Sequence, residues 1–218
     1  MKVRRVEPLD DDFTLLHVQT PRTRRLRFLA GQSARLSNGS MSCTLPIASC
    51  PCDDRNLHFH VPSDPALCPA AGALSALRLG QTLELSGPTG DFVLDAESTR
   101  PRVMIGDARG VAPLKSIAEH SLALAGEVPV ALLVVGSGEA PHYMENLFRS
   151  WADALEAFRW EAVPAGSDLA AAVAALFDGD VPDDADFYLA GAAEVVAAAR
   201  AALEARGVDA ARVRALVL

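Results

Sequence analysis

The hydrophobic pattern of this chain changes once, near residue 100, and this change constrains the fold more than any other feature. Before it, short runs of β-strand composition are separated by turn residues. After it, apolar runs of strand length alternate with helical stretches. The sequence therefore predicts two domains, residues 1–98 and 99–218, with a linker around Ser98–Pro101.

The first half predicts a small antiparallel barrel of six strands, because short strands with frequent turns close most simply in this way. A helix is predicted at Pro69–Leu79, with Pro69 suited to its first turn and Gly80 to its end. The predicted strands are Arg4–Glu7, Phe13–Gln19, Ala34–Leu36, Leu45–Ser49, Leu57–Val61 and Thr82–Leu85.

The second half predicts a Rossmann-like α/β domain with a parallel five-stranded sheet, since its strands and helices alternate. The predicted strands are Val103–Ile105, Pro129–Val135, Phe158–Val163, Phe187–Ala190 and Val213–Leu218. The predicted helices are Val111–Ala125, His142–Leu155, Leu169–Phe177 and Ala192–Arg206. Sheets of this kind bind ligands beyond the carboxyl ends of their strands, which directs attention to the turns after Ile105, Val135, Val163 and Ala190.

Charge and hydropathy exclude several classes of protein. The net charge of −8 argues against a general nucleic-acid binder, which needs a basic surface for phosphates. An arginine cluster near the start is either a strand edge or loop, or a local binding patch; it comprises Arg22, Arg24, Arg25 and Arg27. No run reaches the ~18 apolar residues of a membrane span, and no signal peptide is visible, so we expect a cytoplasmic protein.

All four cysteines fall between positions 43 and 68, at Cys43, Cys50, Cys52 and Cys68. Their spacing fits neither the usual zinc pattern nor the common iron–sulfur patterns. The sequence therefore favours small buried thiols in a barrel wall over a metal site, and no metal-binding residue is predicted. His120 is expected to be a surface or helix residue.

The turn after the first strand of the second half reads Ile105-Gly106-Asp107-Ala108-Arg109-Gly110-Val111. Gly106 and Gly110 permit close approach of a ligand, and Arg109 suits a phosphate. The Asp107 carboxylate would instead repel one. The alternative is a tight turn that only caps the following helix.

Several segments resemble, in order, the motifs of the ferredoxin–NADP reductase superfamily, and above all its stand-alone NAD(P)H–flavin reductases. Leu45-Pro46-Ile47-Ala48-Ser49 resembles the end of the flavin motif R-x-Y-S-[IL]-A-S. The remaining matches are Phe28-Leu29-Ala30-Gly31-Gln32, the Leu79–Phe92 segment that closes the barrel, Gly110-Val111-Ala112-Pro113-Leu114-Lys115-Ser116, and Tyr188-Leu189-Ala190-Gly191.

The resemblance implies a flavin-binding barrel, an NAD(P)-binding α/β domain, and electron transfer from NAD(P)H through FAD or FMN to free flavin or a separate acceptor protein. The chemistry is then the cofactors' own, and no catalytic side chain is predicted. The implied flavin-binding residues are Thr44, Leu45, Pro46, Ile47 and Ser49. The implied nucleotide-binding residues are Gly106, Arg109, Gly110, Val111, Gly136 and Gly191.

The chain departs from the family where the family binds its cofactors. Cys43 stands in place of the arginine that pairs with the flavin phosphate, and Leu45 and Pro46 in place of the aromatic and hydroxyl residues. On the nucleotide side, Asp107-Ala108-Arg109-Gly110 replaces G-G-T-G, Gly138 replaces an arginine, and Ala192-Ala193 replaces a proline pair. Two hypotheses follow: a reductase that holds flavin loosely, or a scaffold of the same fold that binds a protein partner or another ligand.

Overall fold

The computed structural model describes residues 1–39, 41–124, 128–136, 142–176 and 184–218. The chain divides into two compact units. Unit 1 comprises Met1–Leu94 and Lys115–His120, and unit 2 comprises Asp95–Leu114 and Ser121–Leu218. The predicted domain limits of 1–98 and 99–218 stay a prediction.

Unit 1 contains two three-stranded antiparallel sheets, in the orders β1-β2-β5 and β4-β3-β6. This arrangement confirms the predicted six-stranded antiparallel barrel class. Its strands are β1 (Lys2–Pro8), β2 (Phe13–Gln19), β3 (Ser33–Asn38), β4 (Met41–Pro46), β5 (Asn56–Pro62) and β6 (Glu84–Thr89), with helix α1 (Ala71–Ser75) before β6.

The core of unit 1 follows from strand alternation. On β3, Ala34 and Leu36 point inward and are fully buried, whereas Arg35 between them is exposed. The same period on β4 buries Cys43 and Leu45 and exposes Thr44. The segment that resembles the family's flavin motif therefore has Leu45 on the buried face of β4 and Thr44 on the solvent face.

Unit 2 contains a parallel five-stranded sheet in the order β11-β10-β7-β8-β9, which confirms the predicted α/β domain. Its strands are β7 (Arg102–Asp107), β8 (Val130–Gly136), β9 (Phe158–Pro164), β10 (Asp186–Gly191) and β11 (Val213–Val217). Its helices are α3 (Glu145–Ala154), α4 (Leu169–Leu176) and α5 (Ala193–Ala205), and helix α2 (Val111–Ala123) includes residues of both units.

The strands of unit 2 are buried on both sides, as a parallel sheet covered by helices requires. All six residues of β10 are buried, and so are the first six of β8. Beside β9, an aromatic cluster packs Phe148 against Trp151, Phe158 and Trp160, with ring centroids 5.7–6.4 Å apart. Phe148 and Phe158 are buried at the centre of this cluster, and Trp151 and Trp160 are half-buried at its edge.

Several sequence-based boundaries were wrong, and three elements of unit 1 show this most clearly. The helix predicted at Pro69–Leu79 spans only Ala71–Ser75. The strand predicted at Leu45–Ser49 ends at Pro46, which has no N–H for a further ladder bond. The strand predicted at Thr82–Leu85 begins at Glu84 and continues to Thr89.

Two of the four cysteines were also predicted wrongly. Cys43 and Cys68 are buried in the unit 1 core, as expected. Cys50 is half-buried and Cys52 is exposed, because they lie in the turn after β4 rather than in a strand.

In the part of the chain that the structure describes, no helix combines the length and the apolar character that crossing a membrane requires.

Candidate functional site

The predicted flavin-binding residues do not share one surface. Thr44 is exposed on β4, whereas Leu45, Pro46, Ile47 and Ser49 are buried. Leu45 and Ile47 belong to the hydrophobic core of unit 1. The side chains at the motif's aromatic and hydroxyl positions are therefore core residues here.

The backbone of this motif is committed to internal hydrogen bonds. The N–H of Ile47 donates to the Gln32 carbonyl at 2.9 Å, and the N–H of Ala48 to the His58 carbonyl at 2.8 Å. Ser49 Oγ accepts the His58 N–H at 3.2 Å. These bonds fix the segment after β4, and they satisfy the N–H groups of Ile47 and Ala48 without a ligand.

Two buried side chains of α2 attach to the same segment. Lys115 Nζ donates to the Ala48 carbonyl at 3.1 Å, and Ser116 Oγ donates to the Ser49 carbonyl at 2.8 Å. Lys115 also forms an ion pair with Glu119 one turn later. Because Lys115 is only 5% exposed, its bond and its ion pair compensate the cost of burying the ammonium group.

Cys43, at the position of the family's phosphate-binding arginine, is a buried thiol. A hydrogen bond with Cys68 and burial both raise the pKa of the Cys43 thiol above its usual value. The same bond lowers the pKa of Cys68. A thiol in this environment offers a flavin phosphate neither charge nor donors.

The solvent-facing side of β3 and β4 offers a cation, Arg35. Arg35 on β3 is paired in register with Thr44 on β4, and both side chains are exposed. The Arg35 guanidinium donates from Nε and Nη2 to Ser42 Oγ, at 3.1 and 2.7 Å. Arg35, Ser42 and Thr44 together form a donor set that suits a phosphate group.

Part of the N-terminal arginine cluster lies near Arg35. Arg24, Arg25 and Arg35 line one cleft of about 660 Å³ in unit 1, together with Ser37 and Ser86. Glu84 also lines this cleft, and Arg25 pairs with Asp54 at 3.6 Å. The cleft is cationic. Of the two alternatives that the sequence left open for the arginine cluster, a strand edge or loop and a local binding patch, this cleft favours the binding patch.

The predicted nucleotide-binding turn is tightly packed. A Cβ atom at Gly106 would lie 2.3 Å from the Ala190 carbonyl oxygen, and one at Gly110 would lie 1.9 Å from it. Gly191 has φ +141°, and a Cβ there would lie 2.4 Å from Asp107 Oδ1. The structure therefore brings Gly106, Gly110 and Gly191 together, with only glycine fitting at each.

The Asp107 carboxylate occupies the centre of this turn. Its Oδ1 accepts the backbone N–H groups of Arg109 and Gly110, at 2.9 and 3.2 Å. Its Oδ2 accepts the N–H of Ala192, just before α5, at 2.9 Å. Amide groups at strand-to-helix turns are the groups that bind a nucleotide phosphate in folds of this kind, and here an internal carboxylate has taken them.

The remaining predicted nucleotide residues surround this turn less closely. The Arg109 side chain is exposed, Val111 is buried as the first residue of α2, and Gly136 is half-buried at the carboxyl end of β8. The predicted loss of an arginine at Gly138 lies outside the described residues.

His142 is a residue that sequence reasoning did not single out. Its Nδ1 accepts the Met144 N–H at 3.1 Å, and its Nε2 is buried with no hydrogen-bond partner among the described residues. Burial lowers the pKa of His142 to about 4, although the Asp107 charge acts in the opposite direction. His142 is therefore neutral near pH 7 and has one donor available. Only the folded environment reveals this, since the sequence predicts an ordinary first residue of the helix His142–Leu155, whereas the structural helix begins at Glu145.

Comparison with known proteins agrees with this architecture. No protein-family model matches the sequence. The chain is 26% identical over 181 residues to reductase component 1 of terephthalate 1,2-dioxygenase from Comamonas, a match that covers 80% of this chain and 48% of that protein. The chain spans about a third to a half of the length of the curated relatives it matches.

Solved structures extend the match to almost the whole chain. The Amycolatopsis cytochrome P450 reductase GcoB is 26% identical, with a TM-score of 0.83 over 98% of this chain and 67% of that one. A ferredoxin NADP+ reductase from Neisseria gonorrhoeae with bound FAD and NADP is 18% identical, with a TM-score of 0.79 over 98% of this chain and 96% of that one. The second match concerns the fold alone.

Proposed function

We propose that this chain, which is a ferredoxin reductase-like protein of the oxidoreductase class, transfers electrons from NAD(P)H through flavin to free flavin or a separate acceptor protein. The observation that carries the proposal is the match to a reductase over 98% of the chain at 26% identity. Residues 1–98 are then the flavin-binding-type domain and 99–218 the NAD(P)-binding-type domain. A separate acceptor suits relatives that are named as reductase components of oxygenases.

The flavin site in this proposal uses the outward face of β3 and β4. Arg35 and the hydroxyls of Ser42 and Thr44 take the role that Cys43 cannot fill. Leu45, Pro46, Ile47 and Ser49 are the buried residues at the end of β4 and just after it. Bound flavin would supply the electron-transfer chemistry, and the chain would supply binding and orientation. Because Arg35 is exposed and Cys43 stands in place of the family's phosphate-binding arginine, this site suits flavin that exchanges with solution better than a permanent prosthetic group.

The nucleotide site fits less well. Gly106, Arg109, Gly110, Val111, Gly136 and Gly191 outline it, but the Asp107 carboxylate already accepts the N–H groups that a phosphate needs. A nucleotide phosphate must displace this carboxylate, which repels it. NAD(P)H is therefore a transient, weakly bound substrate in this proposal.

A second candidate function rests on the same carboxylate. A turn whose amides are satisfied internally needs no nucleotide to keep its conformation. This favours a noncatalytic scaffold of the same fold that binds a protein partner or another ligand.

One experiment separates the two candidates. The purified full chain is titrated with FAD and FMN, and oxidation of NADH and NADPH is followed with free flavin and ferricyanide present. Turnover with saturable flavin dependence supports the reductase. If millimolar flavin leaves the melting temperature unchanged and no NAD(P)H is consumed, the scaffold stands, because a ligand at 100 times its Kd stabilises by about 2.7 kcal/mol.

Arg35→Ala tests the flavin surface directly. Loss of a charge-assisted contact worth ~1.5–3 kcal/mol should weaken flavin binding roughly 10–100-fold. The matched control is Arg4→Ala, because Arg4 is also an exposed strand arginine that donates from Nε and Nη2 to one neighbouring side chain, Gln19. Equal flavin affinity in both variants would remove Arg35 from the site.

A further inference from the structure

Two cysteines and one histidine that lie far apart in the sequence meet in unit 1. Cys50 and Cys52 flank Pro51 in the turn after β4, and His120 lies in α2. Nδ1 of His120 lies 3.6 Å from the Cys50 sulfur and 3.4 Å from the Cys52 sulfur. All three ligand atoms lie within 4.8 Å of one another. The structure places the two sulfurs in disulfide contact, with Cα atoms 5.1 Å apart.

Already in the oxidised arrangement the sulfur–nitrogen distances lie in the range of a zinc site, and reduction frees the two sulfurs to move to the roughly 3.7–3.8 Å separation of zinc-bound thiolates. Tetrahedral Zn²⁺ binds thiolates at about 2.3 Å and imidazole at about 2.0–2.1 Å, which sets sulfur and nitrogen ligands roughly 3.5–3.6 Å apart. We propose that Cys50, Cys52 and His120 form a Zn²⁺ site when the two cysteines are reduced. The proposal does not depend on flavin or nucleotide binding.

The surroundings hold these ligands in position. Ser116, one turn before His120 on α2, donates to the carbonyl of Ser49, which directly precedes Cys50. Both residues of this bond are buried. Because the bond joins the helix segment to the cysteine turn, His120 and Cys50 are brought together by the fold itself, with or without a metal.

The Cys50 sulfur also has the hydrogen bond that a bound thiolate uses. The backbone N–H of Cys52 points to the Cys50 sulfur at 3.2 Å. Such bonds neutralise part of the thiolate charge and orient the ligand. Cys52 is exposed, so a fourth position remains accessible to water or an external ligand, as in zinc sites that are not closed.

The metal-bound and disulfide states exclude each other. Conversion of the disulfide to two thiols takes two electrons and two protons. An external dithiol supplies both and becomes a disulfide, whereas a phosphine supplies the electrons, becomes its oxide, and takes the oxygen and the protons from water. Zn²⁺ then binds both sulfurs as thiolates and the neutral ring through Nδ1, and the two thiol protons are released. The site therefore forms only under reducing conditions.

Cobalt and zinc titrations of the full chain test this proposal. In the phosphine-reduced protein we expect one equivalent of Zn²⁺, and Co²⁺ should give a thiolate charge-transfer band in the near ultraviolet. The band should disappear in Cys50→Ser and in Cys52→Ser. His120→Ala removes a direct ligand and should weaken Zn²⁺ binding by more than roughly 10–100-fold, which is the usual effect of losing a residue that only hydrogen-bonds to a metal ligand.

Matched controls use the residues that the cluster leaves out. Cys68→Ala and His17→Ala should keep the full metal affinity. Without any variant, Zn²⁺ should protect Cys50 and Cys52 from alkylation, as read by mass spectrometry. Substoichiometric metal in reduced protein, alkylation that ignores Zn²⁺, or binding that survives His120→Ala unchanged would each overturn the proposal.

Discussion

The Asp107 carboxylate gives the sharpest prediction, because it holds three backbone N–H groups of the turn. Asp107→Ala leaves Arg109, Gly110 and Ala192 without this acceptor. Each charge-assisted bond is worth ~1.5–3 kcal/mol where water is excluded. The turn is half-buried, so water replaces part of the loss, and we expect a total cost of about 2–4 kcal/mol.

Thermal unfolding monitored by circular dichroism measures this cost. For a chain of this size the expected loss corresponds to a melting temperature lower by roughly 5–15 °C. Asp168→Ala is the matched control, because Asp168 also accepts two backbone N–H groups, from Ala170 and Ala171, at a helix start. As an ordinary exposed cap it should cost only ~1 kcal/mol.

The same variant should bind nucleotide more tightly than the native chain, although it is less stable. Removing the negative charge and freeing three donors should strengthen NADH binding roughly tenfold or more, as measured by calorimetry or by quenching of NADH fluorescence. A melting temperature no lower than that of Asp168→Ala would show that the carboxylate does not hold the turn. NADH affinity that stays constant or falls would show that it does not occupy a phosphate position.

Three further predictions address packing and charge. Gly110→Ala should lower the free energy of unfolding by about 3 kcal/mol or more, because the new Cβ would lie 1.9 Å from the Ala190 carbonyl oxygen. The control Gly72→Ala, whose Cβ would enter open space, should be neutral or stabilising by up to ~1 kcal/mol in the same thermal unfolding experiment. The pKa of His142 falls from 6.5 in the unfolded chain to about 4 in the folded one, so the unfolded chain binds the proton more tightly. The free energy of unfolding should therefore be unaffected by this group above pH 6.5 and should fall between pH 6.5 and pH 4 by up to about 1.4 kcal/mol per pH unit. His142→Asn should flatten this slope in denaturant titrations at several pH values. Phe148→Ala should cost ~3–5 kcal/mol and change the tryptophan fluorescence, because the Phe148 ring is fully buried among aromatic residues; an unchanged melting temperature would contradict that packing.

The order of strands and helices could be predicted because the spacing of apolar residues differs between the two and can be read from one sequence. Phe13–Gln19 was predicted to the residue, since its alternation is regular and Asn56–Pro62 pairs with its whole length. Boundaries failed where turn chemistry and pairing partners decide, as at Ala71–Ser75, which is much shorter than its composition indicated.

The position of the candidate nucleotide turn could be predicted from the sequence, but the contacts within it could not. Motif order located the turn at Gly106 and Gly110, but sequence could only say that Asp107 repels a phosphate. That its carboxylate also accepts the N–H of Ala192 depends on tertiary structure, which brings these two residues together. The contact of His120 with Cys50 has the same origin, because no local spacing relates these residues.

The order of strands in unit 2 also has a consequence for how the protein is made. β7, β8 and β9 pair with neighbours in sequence, so this part of the sheet can assemble while the chain is being synthesised. β10 pairs with β7 through contacts such as Phe187 with Val103, which require closure of a long loop. Until β10 arrives, one edge of β7 is an unpaired apolar strand. Between the synthesis of β9 and that of β10, this edge is therefore open to pairing with a strand of another chain.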